Sequence, residues 1–203
     1  MLRTVRLLTV VLLCSPSLLL AQHPEHAAAA AKPGMTDQQK IASAMSAAPA
    51  GISANAAIMD FPSTPGGEMK QLRAGTNDWV CFPTTGSGPK GGNDPMCLDK
   101  AWSGWAQAWL KHENPPAAPG GGIAYMLQGD AGASNTDPFA TKMTPDNHWV
   151  VSPAHIMVLP ANPKDLDSVN DDPKTGGPWV MWKGTPYAHL MVPVSRTAAA
   201  KPK

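Results

Sequence analysis

Trp149-Val-Val-Ser-Pro153-Ala-His155-Ile-Met157-Val158 and Trp182-Lys-Gly-Thr-Pro186-Tyr-Ala-His189-Leu-Met191-Val192 are two versions of one phrase: Trp, a short spacer, Pro, then Ala-His-(Ile/Leu)-Met-Val. The alternation of His and Met with aliphatic residues has the period of two expected of a strand, so each phrase predicts one. Working outward, 123–127, 148–151, 155–159, 179–182 and 187–192 are all β-rich runs separated by turn clusters. Few helix-period segments remain among them. The first half differs. Thr36-Asp37-Gln38-Gln39 is a capping-box pattern followed by Ile41, Met45 and Ala48 at helical spacing, which predicts a helix over 37–47 ended by Pro49. Short strands are predicted at 56–61, 68–73 and 78–82, and a glycine-rich loop at 84–92. Asn93-Asp94-Pro95 reads as a helix start, with Asp94 as N-cap and Pro95 at the first turn. Trp102, Trp105 and Trp109 recur along that helix until Pro115-Pro116. The fold class is therefore α+β: a single domain with many loops, a central Trp-rich helix and a mostly antiparallel sheet in the second half.

The ends of the chain carry an address. Arg3 and Arg6 precede an apolar stretch from Leu7 to Leu20, which reads as a secretory signal peptide over residues 1–21. The run is shorter than the ~20 residues a bilayer-spanning helix needs, and Pro16 interrupts it. Residues 22–34 read as a flexible tether holding His23 and His26, residues 35–194 as the globular domain, and 195–203 as a frayed tail. The expected location is the periplasm or the extracellular space, with no transmembrane segment after signal cleavage.

Sixteen Lys and Arg against fifteen Asp and Glu give a formal charge of +1. A nucleic-acid partner would call for a basic excess that is not there. Cleavage after residue 21 would remove Arg3, Arg6 and Cys14, leaving Cys81 and Cys97. In an exported chain, two cysteines sixteen apart most simply form a disulfide, with Cα atoms expected about 4.4–6.8 Å apart.

The paired phrases also carry the candidate chemistry. Residues i and i+2 of a strand share a face, so His155 sits beside Met157 and His189 beside Met191. If the two strands lie in one sheet, two imidazoles and two thioethers converge, a donor set suited to Cu(I). The competing reading makes the methionines core and the histidines hydrogen-bonded structural residues. A third reading is an enzyme pocket pairing His155 or His189 with Asp137 and Asn135 from the polar loop Gly129–Asp137. A Ser134-based hydrolase finds no G-x-S-x-G elbow in support.

Three Asn/Asp-Pro elements, at 93–95, 135–138 and 170–173, read first as turns and caps. Asp165, Asp167, Asn170, Asp171 and Asp172 could gather around calcium, but the EF-hand register is missing. The tryptophans read as core, with sugar stacking as the alternative, and Trp179 and Trp182 are expected on opposite faces if 179–182 is one strand. No nucleotide-binding glycine pattern, HExxH or CxxC is present.

Gly75-Thr-Asn-Asp-Trp-Val-Cys81, Asn93-Asp-Pro-Met-Cys97, Ser134-Asn-Thr-Asp-Pro-Phe139 and Gly177-Pro-Trp-Val-Met-Trp-Lys-Gly-Thr-Pro-Tyr-Ala-His189 resemble a group of uncharacterised secreted bacterial proteins over roughly residues 50–194. The resemblance implies secretion and a single domain, and it transfers no activity. The leading expectation is thus an exported domain that binds a small ligand or serves as an envelope accessory. Copper handling by His155, Met157, His189 and Met191, and an enzyme with a His/Asp pocket, stand as the alternatives.

Overall fold

The computed structural model describes residues 34–62, 67–86 and 92–194. The expected signal peptide, nearly all of the tether, the tail and most of the glycine-rich loop fall outside the described residues.

An α-helix, α1 (Asp37–Met45), opens the domain, and both halves of the capping box form: Gln39 N–H donates to Thr36 Oγ1 and Thr36 N–H to the Gln39 side chain. A short helix α2 (Ala50–Ser53) restarts directly after Pro49, where the sequence suggested only an end. The strands β1 (Ala57–Asp60), β2 (Lys70–Arg73), β3 (Val80–Phe82) and β4 (Met96–Leu98) follow, then the helix α3 (Lys100–Leu110). After it come β5 (Gly122–Met126), β6 (Ala133–Ser134), β7 (Trp149–Val150), β8 (His155–Leu159), β9 (Trp179–Met181) and β10 (His189–Pro193).

One eight-stranded sheet, in the order β2-β1-β3-β4-β5-β8-β10-β9, crosses the whole domain. Every neighbouring pair is antiparallel except β1 and β3. The first-half strands thus belong to the same sheet as the paired phrases. β6 and β7 form a separate two-stranded ribbon, so the run predicted at 148–151 pairs outside the main sheet.

The helix start predicted at Asp94-Pro95 is corrected. Asp94 is buried, and its carboxylate accepts from Thr84 Oγ1 (2.5 Å), Thr85 N–H (2.7 Å) and Thr85 Oγ1 (2.6 Å), fastening the loop after β3. Residues 96–98 are needed as a strand because Cys97 pairs directly with Cys81 across β3 and β4. The true N-cap is Asp99, five residues on. Its carboxylate accepts from Trp102 N–H at 2.8 Å and from Ile123 N–H at 2.6 Å, which ties the helix start to β5.

Because side chains alternate along a strand, Cys97 and Leu98 face opposite ways. On one face Cys81, Cys97 and Ile58 pack with Ala44, Ala47 and Ala48 of the α1 region. On the other, Leu98, Ala124, Leu159, Met181 and Met191 pack with Trp102 and Trp105 of α3. Trp102 and Trp105 are buried and Trp109 is half-buried, so the tryptophan stripe is core. Trp179 and Trp182 both enter this cluster, against the expectation of opposite faces. The strand ends at Met181, and Trp182 takes a positive φ of 56° that turns its ring back inward.

The Cys81–Cys97 disulfide forms. Its Cα separation of 4.0 Å lies just below the expected window, because the cysteines face each other directly across an antiparallel pair. Among the described residues no helix is long and apolar enough to cross a membrane.

Candidate functional site

The paired phrases fold into neighbouring antiparallel strands, β8 and β10, with Met157 opposite Met191. Directly opposed residues share a face, so His155, Met157, His189 and Met191 all lie on the α3 side of the sheet. The register nevertheless separates the histidines. His155 stands opposite Pro193, four residues along the strand from His189, an offset of roughly 13 Å at 3.3–3.4 Å per residue. The two methionines lie between them. Convergence of all four side chains on one ion, expected from the repeated wording, is therefore not what the register builds.

Each histidine is held the same way. His155 Nδ1 lies 2.7 Å from Pro153 O, and His189 Nδ1 lies 3.0 Å from Tyr187 O, both carbonyls two residues earlier. A carbonyl only accepts, so the proton sits on Nδ1 and the lone pair on Nε2. Both residues are at most 2% exposed, and neither Nε2 has a hydrogen-bond partner among the described residues. The repeated Pro/Tyr-Ala-His wording thus fixes one tautomer at both places.

Their surroundings differ. His189 meets the rings of Trp102, Trp105 and Trp182 edge-on at centroid distances of 5.2, 5.5 and 5.1 Å. Burial there, aided slightly by the like charge His155 would carry, pushes its pKa down to about 4, and the Tyr187 carbonyl only partly offsets this. His155 shares its end of the sheet with Asp130. Burial lowers the His155 pKa and raises that of Asp130, and the attraction between the two charged forms opposes both shifts. The Asp130 carboxylate accepts from Gly132 N–H (3.0 Å) and Ser152 N–H (2.8 Å). Gly132 has φ of 101°, and a Cβ on it would lie 2.3 Å from Trp149 Nε1. Only glycine turns the loop under that indole.

Asp137 and Asn135, the acid and amide proposed for an enzyme pocket, perform other tasks. Asp137 is exposed, and its carboxylate accepts from Phe139 N–H at 2.8 Å in an Asx turn. Asn135 is buried, with its side chain donating to Asp171 O (2.9 Å) and accepting from Trp179 Nε1 (3.2 Å). Ser134 Oγ donates to Asn147 O at 2.8 Å and accepts from Asp137 N–H at 2.8 Å, which makes it a turn-former. The acid that faces His155 is Asp130, which sequence reasoning placed in the polar loop without singling it out. Its position one residue past Gly129, just beyond β5, was the available signal.

The other candidates resolve as turns. Asp172 caps a 3-10 helix (Pro173–Thr175) by accepting from Lys174 N–H at 2.9 Å, and Asn170 accepts from Asp172 N–H at 3.1 Å. Among the described residues no group of three or more His, Cys, Asp or Glu could hold a metal ion, so neither a calcium loop nor a zinc-type cluster is built. What remains is nitrogen and thioether sulfur. No family model, no curated protein and no solved structure matches this chain.

Proposed function

We propose that this protein is an exported binding domain whose ligand is a soft monovalent metal, Cu(I), held on the imidazole and thioether face of its sheet. One observation carries the reading: two buried histidines, each donating from Nδ1 to a backbone carbonyl, have an Nε2 with no partner among the described residues, on a methionine-bearing face in the core. A metal-binding histidine is ordinarily oriented in this way, its other nitrogen donating to a carbonyl or carboxylate. Neutral imidazole and thioether suit Cu(I), whereas Mg²⁺ and Ca²⁺ require oxygen. The disulfide on the opposite face accords with an oxidising compartment.

The test is competition for Cu(I) with a chromophoric chelator under anaerobic conditions, using the chain purified from an export-competent host. The protein should withdraw Cu(I) from the chelator and leave Mg²⁺ and Ca²⁺ unbound. A chain that leaves all Cu(I) on the chelator would overturn the reading.

The Asp130–His155 pair favours a second reading, an acid–base site at the same end of the sheet. It predicts that Asp130→Asn abolishes a hydrolytic activity while leaving Cu(I) uptake unmeasurable in both proteins.

A further inference from the structure

We infer that the face holds two separate Cu(I) sites, each built from one histidine and two methionines, instead of one site shared by both histidines. This rests on the Cu(I) reading above and adds its stoichiometry and two further ligands, Met126 and Met181.

The strand register supplies the argument. Met126 of β5 stands directly opposite His155, and Met157 follows two residues along β8. Met181 of β9 stands directly opposite His189, and Met191 follows two residues along β10. Each imidazole thus has one thioether across the ladder and one along its own strand, all three on the same face. Directly opposed Cβ atoms lie about 4.5–5.5 Å apart, and i, i+2 neighbours about 7 Å. Methionine's three side-chain torsions let its sulfur swing over such spans. The histidines have no such freedom to meet. Each ring is pinned to its own carbonyl, Pro153 O or Tyr187 O, at opposite ends of the Met157/Met191 pair. Two metal–nitrogen bonds of about 2 Å bridge only about 4 Å, far less than an offset of four residues.

The second, independent observation is the pair of orphan nitrogens. A buried acceptor without a partner is costly, and two of them in matching positions, each flanked by two thioethers, point to a ligand that occupies both. Met181 and Met191 are less than 10% exposed, so the site at His189 is dry, which favours soft, weakly hydrated ions; at His155, Met126 is equally buried and Met157 half-buried.

Native mass spectrometry with Ag(I), a redox-inert stand-in for Cu(I), tests the count on the full chain, with Met126→Leu and Met181→Leu as site-selective variants. Leucine is close enough in volume to keep the core folded, which circular dichroism verifies. The wild type should carry two ions. Each variant should lose at least tenfold in affinity for one ion and keep the other, and the double variant should lose both. A single ion in the wild type that either variant abolishes would overturn the two-site inference while sustaining the Cu(I) reading. No bound ion at all would overturn both, and two ions indifferent to both variants would overturn the ligand assignment.

Discussion

Acidifying the protein from about pH 8 to pH 5 should cost it stability through His189, and the sign follows from its burial. Its imidazole is held near pKa 4 in the fold, against about 6.5 in the unfolded chain. The unfolded state therefore binds the proton first, and stability rises with pH throughout the window from 4 to 6.5. The contribution of the neutral ring is complete above 6.5 and drains away as the pH falls toward 4. Linkage over that gap gives a loss of about 2 kcal/mol at pH 5 and about 3 kcal/mol at pH 4. Urea unfolding is the assay, and with a slope of about 1–3 kcal/mol per molar the midpoint should fall by about 1 M. Stopping at pH 5 keeps the measurement above the ordinary carboxylate range. His155, also lowered by burial, titrates in the same direction, so the His189 share is isolated with His189→Phe, which fills the tryptophan box without titrating. The variant gives up the bond to Tyr187 O and also removes the unpartnered Nε2, so the comparison is of the pH dependence: it should lose about 2 kcal/mol less between pH 8 and pH 5. Equal losses in the two proteins would refute the claim that His189 is neutral in the fold.

Trp105 packs against Trp102, Trp109, Trp182, Tyr187 and His189, so Trp105→Ala should cost about 3–5 kcal/mol in chemical denaturation. An unchanged denaturation midpoint would return the tryptophans to a surface role. Reducing the Cys81–Cys97 bridge, or replacing both cysteines by Ala, should lower stability by about 3 kcal/mol, the loop-entropy value for a link of sixteen residues. Asp99→Ala removes both the cap of α3 and the acceptor for Ile123 N–H, and should cost about 1–2 kcal/mol, while Asp94→Ala should leave α3 helicity untouched.

The strands of the second half other than Ala133–Ser134, which the sequence reading left in the polar loop, were readable because each is short, aliphatic or aromatic, and bounded by turn residues. The segment 155–159 is found with the predicted limits, since Pro153 and Pro160 punctuate it on both sides. The helix start at 93–95 misled for a physical reason. Asp-Pro satisfies the local preferences of an N-cap, but Met96-Cys97-Leu98 gains more by pairing with Val80-Cys81-Phe82 and placing the two sulfurs together. Local signals did not distinguish Asp94 from Asp99. The partners of the histidines were hidden for a deeper reason. Met126 lies 29 residues before His155, and only strand order and register put them opposite each other. The repeated Ala-His-x-Met wording showed that the two environments are alike, but not that antiparallel pairing sends equivalent residues to opposite ends of the ladder.

That pairing bears on why the histidines are there at all. An apolar side chain at either position would leave no orphan acceptor, whereas each buried, unpartnered Nε2 costs about 1–3 kcal/mol. Donation from Nδ1 to Pro153 O or Tyr187 O recovers part of that cost but does nothing for the second nitrogen. The indole N–H groups of Trp102 and Trp105 are also buried without partners, yet neither relieves the nearby His189 lone pair. Eight buried side-chain atoms lack a partner among the described residues, and the two histidine nitrogens are the ones that repeat a single anchor, Nδ1 to the carbonyl two residues earlier. Departures of this kind are expected where residues serve a ligand in preference to the fold. An electrophile of modest size that tolerates sulfur neighbours would give both nitrogens a partner, and that is the ground on which Cu(I) is proposed.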